Sequence, residues 1–224
     1  MRAFSGMAAL VALWLFPAGA GAEVRACPDP MLHVDTRTDA EADMACTSAL
    51  AAKALLQSCG LEQDRPILIS VVERAAHPSF GTCLAIYDQN SGCLAVTEPG
   101  RIMPVLPEGD ARAALPADVL FAASITHELT HAILQQAAGE VAATEQEFVA
   151  AAMEMQSLAP EWRQVLLDAY PVNPAGSMGL VHLSIYGLEP RAFANNAWVL
   201  FHRAEMGCSL VQRIADGAFR FPRR

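Results

Sequence analysis

Between Val119 and Gln136 the chain carries one charged side chain, Glu128, in a run whose apolar residues Leu120, Ile125, Leu129, Ile133 and Leu134 recur at helical intervals. This pattern predicts a buried helix. Upstream, Asp39 to Leu56 is rich in Ala and Leu with polar residues interspersed, and predicts an earlier helix that ends near Gly60. Pro66 to Glu73 holds Ile67, Leu68, Ile69, Val71 and Val72, a β-branched run expected to be a mostly buried strand. Gly81 to Tyr87 and Gly92 to Thr97 flank the turn residues Asp88 to Ser91 as a hairpin, and the four prolines from Pro99 to Pro116 predict a loop. Downstream, Thr144 is placed to cap a helix running through Met155. A short helix follows around Glu161 to Ala169, and a last one starts at Pro190 and ends before Gly207. Helix, small sheet and then helices fall in separate blocks, so an α+β fold is expected, with a small mixed or antiparallel sheet on the Val119 helix and a mainly helical C-terminal part.

The one charge in that apolar helix belongs to a motif. His127-Glu128-Leu129-Thr130-His131 is an HExxH sequence. Residues four apart lie on one helical face, so both imidazoles reach a common metal ion, while Glu128, about 100° round the axis, reaches a water bound to it. A carboxylate in an apolar stripe is costly without a partner, and a cation or bound water supplies one. Zinc is the expected cofactor, with His127 and His131 as ligands and Glu128 as the general base.

Composition places this chemistry outside the cytoplasm. Arg2, the apolar run from Met7 to Phe16 and the small residues Ala20-Gly21-Ala22 read as a signal peptide over residues 1–22, leaving residues 23–224 as a single domain. The apolar run is too short to span a bilayer, and no later stretch is long and charge-free enough to do so. All six cysteines, Cys27, Cys46, Cys59, Cys83, Cys93 and Cys208, follow the cleavage site, so up to three disulfides are expected in a periplasmic or secreted protein. If Asp39 to Ser58 is one helix, Cys46 and Cys59 lie too far apart along it to pair. Cys83 and Cys93 are offset across the hairpin and do not face each other. A formal net charge of -9, with Lys53 as the only lysine, argues against nucleic acid or an anionic membrane as partner. His33, His77 and His202 lack ligand spacing and are expected to be structural or at the surface.

A catalytic zinc takes three protein ligands and keeps one position open, so two histidines are insufficient. Leu134 and Ala137 stand where a metzincin has Gly and His, which excludes that continuation. The following segment, Thr144 to Glu154, resembles the second zinc-binding helix of gluzincins, the zincins whose third ligand is a glutamate. Within that group Glu147-Phe148-Val149-Ala150 is similar to the lethal-factor-type pattern, and the likeness runs from Ile125 to about Leu158. It implies a zincin-like fold, a zinc-dependent metallopeptidase activity and Glu147 as third ligand. Glu145 and Glu154 are lesser candidates. Two positions depart from the pattern: Ala151 replaces a second acidic residue, and no Tyr precedes Glu147 to donate to the transition state. Thr144 and Glu147 also have the spacing of a T-x-x-E capping box, which would tie Glu147 to its own helix end.

The expected reaction is amide hydrolysis of a peptide or protein substrate, with the substrate laid as an added strand on the edge of the Gly81 to Thr97 hairpin. A donor to the tetrahedral oxyanion is sought downstream, where His182 and Tyr186 are favoured over Tyr170. The alternative is a non-catalytic binding or accessory protein of the cell envelope. Retention of Glu128 favours the enzyme, since a structural zinc needs a fourth protein ligand and no base.

Overall fold

The computed structural model describes residues 23–78, 81–203 and 206–222, so the expected signal peptide lies outside the described residues. Two strands that the hydrophobic pattern did not announce come first, β1 (Glu23–Ala26) and β2 (Leu32–Thr36), paired antiparallel. Helix α1 (Asp39–Ser58) follows, capped by Thr38, whose hydroxyl oxygen accepts from the Glu41 amide at 3.2 Å. It crosses over to β3 (Ile67–Val72), which runs parallel to β2. A short pair, β4 (Ala75–His77) and β5 (Gly81–Cys83), forms its own two-stranded sheet. The hairpin of β6 (Ala85–Asp88) and β7 (Cys93–Thr97) then completes the larger sheet, with order β1-β2-β3-β7-β6 and β7 parallel to β3. The protein is therefore α+β with a mixed sheet, whose edge strands β1 and β6 are each antiparallel to their neighbour.

The sheet buries alternate residues because strand side chains alternate between its faces. Leu32 and Val34, Ile67 and Ile69, and Leu94 and Val96 are all buried in the core shared with the helices. After β7 the expected loop contains a one-turn helix, α2 (Pro99–Ile102), and two 3-10 turns at Met103–Val105 and Ala111–Ala114. Helix α3 (Ala117–Ala138) is the central element, packed on α1, on strands β6 and β7, and on the next helix, α4 (Ala143–Ser157). That position explains its nearly charge-free composition. Around it stand α5 (Pro160–Ala169), α6 (Leu183–Leu188) and α7 (Pro190–Phe201). Beyond Gly207, where the chain was expected to leave helix, lies α8 (Gly207–Ala215).

The bend between α3 and α4 sets the geometry of everything that follows. Gly139 ends α3 with φ at +70°, a conformation that side chains with a Cβ rarely adopt, and α4 begins four residues later at Ala143. Contacts pair His131 with Glu147 and His127 with Glu154, so the two helices run antiparallel. Thr144 does not cap α4 as expected, and the alternative capping box is absent: the N-cap position is Ala142, without a side-chain hydrogen bond, and Glu147 faces α3.

Two disulfides brace the helical layer. Cys27 pairs with Cys46, and Cys59 at the end of α1 pairs with Cys208 in α8. Cys83 and Cys93 are free, in keeping with their offset in the strands. No described helix is long and apolar enough to cross a membrane.

Candidate metal centre

His127 and His131 stack one turn apart on the buried face of α3, ring centroids 5.0 Å apart. From α4, Glu147 reaches between them: its Oε2 lies 3.5 Å from His127 Nε2 and its Oε1 3.7 Å from His131 Nε2. One ligand atom from each of the three residues lies within 4.8 Å of the others. Glu147 Oε2 is buried and has no hydrogen-bond partner, which is costly for a carboxylate oxygen unless a cation meets it. Two imidazole nitrogens and a carboxylate oxygen make up the donor set of a catalytic zinc with one position left for water, so the residues present fit that ion.

The second ring nitrogen of His127 fixes its orientation. Its Nδ1 donates to Glu154 Oε2 at 2.9 Å, and Glu154 Oε1 accepts from Arg191 Nη1 at 3.1 Å. Glu154 is thus the orienting partner of His127. Seven residues after Glu147, two turns on, it shares the same face of α4. Burial opposes charge on Glu154, but the Arg191 guanidinium and His127 outweigh it and hold the carboxyl far below the ordinary glutamate range. Since that carboxylate is ionised, the ring must be the donor, and Nε2 is left to face Glu147. Burial also disfavours the cationic form of His127, yet the neighbouring Glu147 and Glu154 carboxylates raise its pKa well above the usual histidine value. His131 goes the other way, lowered by burial. For Glu147, burial pushes upward and the two imidazoles pull its carboxyl lower than usual.

Glu128 points to the open side. Its Oε2 accepts from the backbone N–H of Tyr87 in β6 at 2.8 Å, which ties the carboxylate to the edge strand. Hydrogen-bonded pairs alternate along an antiparallel ladder. Since the Leu84 carbonyl accepts from the Thr97 amide, Ala85 and Tyr87 turn their main-chain groups outward, away from β7. Two cavities, of about 280 Å³ and about 350 Å³, meet at Glu128, His127 and Tyr186, with residues of β5 and β6 as one wall. Tyr186, on α6, lines the same cavity as Glu147; burial first and the Glu147 charge second push its phenol far above the usual tyrosine range, so it remains a donor.

A family model matches residues 32–224. The chain belongs to DUF6639, a family of unknown function. No curated protein and no solved structure matches it. The span shared with DUF6639 begins at the first residue of β2 and includes α3, α4, α6, the edge strand and both disulfide cysteines of the α1–α8 bridge.

Of the residues that sequence reasoning selected in this DUF6639 protein, His127, Glu128, His131, Glu147 and Tyr186 come together. His182 does not join them: its ring caps α6 by accepting from the Ser184 amide at 3.2 Å, and it borders a separate cavity with Glu145 and Phe221. Tyr170 is engaged elsewhere, its hydroxyl accepting from the Ala111 amide at 3.1 Å. Glu145 Oε1 accepts from the Phe221 amide at 2.7 Å, away from the imidazoles. His77, expected to be structural or at the surface, lines the cavity that His131 lines. Sequence reasoning missed Arg112 and Arg191, which line the other cavity, and it weighed Glu154 as a ligand only. The seven-residue interval from Glu147 was the available signal for Glu154; the arginines have none, because distant segments bring them in.

Proposed function

We propose that this protein is an exported zinc-dependent metallopeptidase with a zincin-like fold, in which His127, His131 and Glu147 hold the ion and Glu128 is the general base. The observation that carries the proposal is the buried, unpartnered Glu147 Oε2 aimed between the Nε2 atoms of two histidines, with a second carboxylate, Glu128, beside it in the cleft. A zinc ion held there supplies Lewis acidity and a bound water that ionises near neutral pH.

The chain's own groups account for the rest. Glu128, held by the Tyr87 amide, is oriented to accept the proton of the attacking water and to pass it to the leaving amine. The Tyr186 hydroxyl, kept protonated by burial, donates to the oxyanion of the tetrahedral intermediate. The outward N–H and C=O of Ala85 and the outward C=O of Tyr87 on the edge of β6 suit an extended peptide added as a strand, which makes peptides and proteins the substrate class. Export is supported by the two disulfides together with the leader-like composition of residues 1–22.

Metal analysis of the purified oxidised protein, joined to a digest of a broad peptide library by wild type and Glu128→Gln, tests the proposal. Stoichiometric zinc with cleavage that the variant abolishes is the expected result. Zinc with no cleavage by either protein points to the binding role instead, and absence of zinc from the refolded, zinc-supplied chain overturns the metal site.

A further inference from the structure

The cavity of about 280 Å³ that His131 does not line contains two guanidinium groups, Arg112 and Arg191, next to Glu128. Both are largely buried, with 15% of each side chain exposed. Their protein partners leave donors over. Arg112 spends Nε and Nη2 on Asp110, and Arg191 gives Nη1 to Glu154. A guanidinium has five N–H donors in a rigid fork, and Arg191 Nε is buried with no acceptor at all. A charged donor left so is costly, and a ligand that supplies the missing acceptor relieves that cost. Asp110 and Glu154 balance the two positive charges, so the cavity presents directed donors and not a broad positive field. Val105, Pro107 and Leu84 complete its wall with apolar surface, where water competes less for those donors.

We infer that this cavity is a subsite for a carboxylate of the substrate, bound by the Arg112 and Arg191 guanidinium groups beside the peptide bond presented to Glu128. Arginine forks match the planar, two-oxygen geometry of a carboxylate better than that of any neutral peptide group. The acceptor comes either from an acidic side chain or from the end of the peptide chain. Its placement next to a scissile bond rests on the metallopeptidase reading; binding of the carboxylate does not.

Binding is therefore measured without turnover, by calorimetry on the full oxidised chain carrying Glu128→Gln, with and without zinc. The probes are two matched pairs: acetyl-tetra-alanine as free acid and as amide, and acetyl-Ala-Ala-Glu-Ala amide against the same peptide with Gln for Glu. At least one acidic probe is expected to bind about tenfold or more tightly than its neutral twin, as two charge-assisted hydrogen bonds allow. The pair that shows the difference identifies the source of the carboxylate. The preference should persist in metal-free protein, and shrink there in Arg112→Gln and in Arg191→Lys, where no change in zinc content enters the comparison. Equal or undetectable binding within both pairs overturns the inference. So does a preference that vanishes with the metal, or one that both arginine variants retain. Failure of the metallopeptidase reading is seen separately, as missing zinc in the wild type or cleavage that survives Glu128→Gln.

Discussion

His127 Nδ1 and Glu154 Oε2 lie 2.9 Å apart, and the same carboxylate is held from its far side by Arg191. A chain of charge thus runs from α7 through α4 to the imidazole on α3. Partners of this kind fix the ring orientation and raise its basicity as a ligand, and their loss typically lowers metal affinity 10–100-fold. Glu154→Gln is expected to fall in that range of about 10–100-fold, read by competition with a chromophoric chelator. Unchanged affinity would show that His127 needs no such support.

Zinc should also stabilise the fold, because its ligands come from two helices. At a free concentration of about 100 times the dissociation constant the gain is about 2.7 kcal/mol. Thermal unfolding with and without a chelator is expected to show a clear shift for wild type and none for His131→Ala or Glu147→Ala.

Tyr186 stands where the two cavities meet, beside Glu147. Tyr186→Phe keeps the ring and removes the donor. The loss of one oxyanion donor lowers kcat by about 10²–10³, with KM little changed. A rise in KM alone would assign the phenol to substrate binding.

Ala85 presents its main-chain N–H to the free edge of β6, so proline can replace it without breaking a bond to β7. Ala85→Pro should raise KM for extended peptides while zinc content stays at the wild-type level. Equal KM values would remove β6 as the docking strand.

The helix that carries the motif was legible in the sequence because burial on all sides leaves an unmistakable run, Val119 to Gln136, with Glu128 alone charged. Glu147 was legible through likeness to a known second helix, with the capping spacing from Thr144 as the lesser reading. What excludes the cap is tertiary: Gly139 turns α4 back on α3, and the side chain follows its imidazole partners. Strand β2 escaped notice although Leu32, Val34 and Thr36 alternate with half-buried residues, because its burial comes from pairing with β3 across the whole of α1. Arg112 and Arg191 lie far apart in sequence and acquire meaning only when the loop before α3 meets the start of α7.

The two disulfides close loops of very different size, separations of 19 for Cys27 and Cys46 and of 149 for Cys59 and Cys208. In the chain-entropy account, closing the shorter loop stabilises by about 3 kcal/mol and the longer by about 5 kcal/mol. Chemical denaturation of the paired Ala variants should therefore rank Cys59/Cys208 as the more damaging loss; the reverse order would show that the α1–α8 bridge follows the fold without reinforcing it.

The short bend after Gly139 sets the phase of α4 against α3, and with it the aim of both Glu147 and Glu154. One residue inserted there, carried into the helix, rotates every following position by about 100° and swings the pair of carboxylates off the imidazoles together. Chain length between His131 and Glu147 is consequently as much a determinant of this centre as the identity of either residue, and a natural variant can disarm it without altering a single ligand.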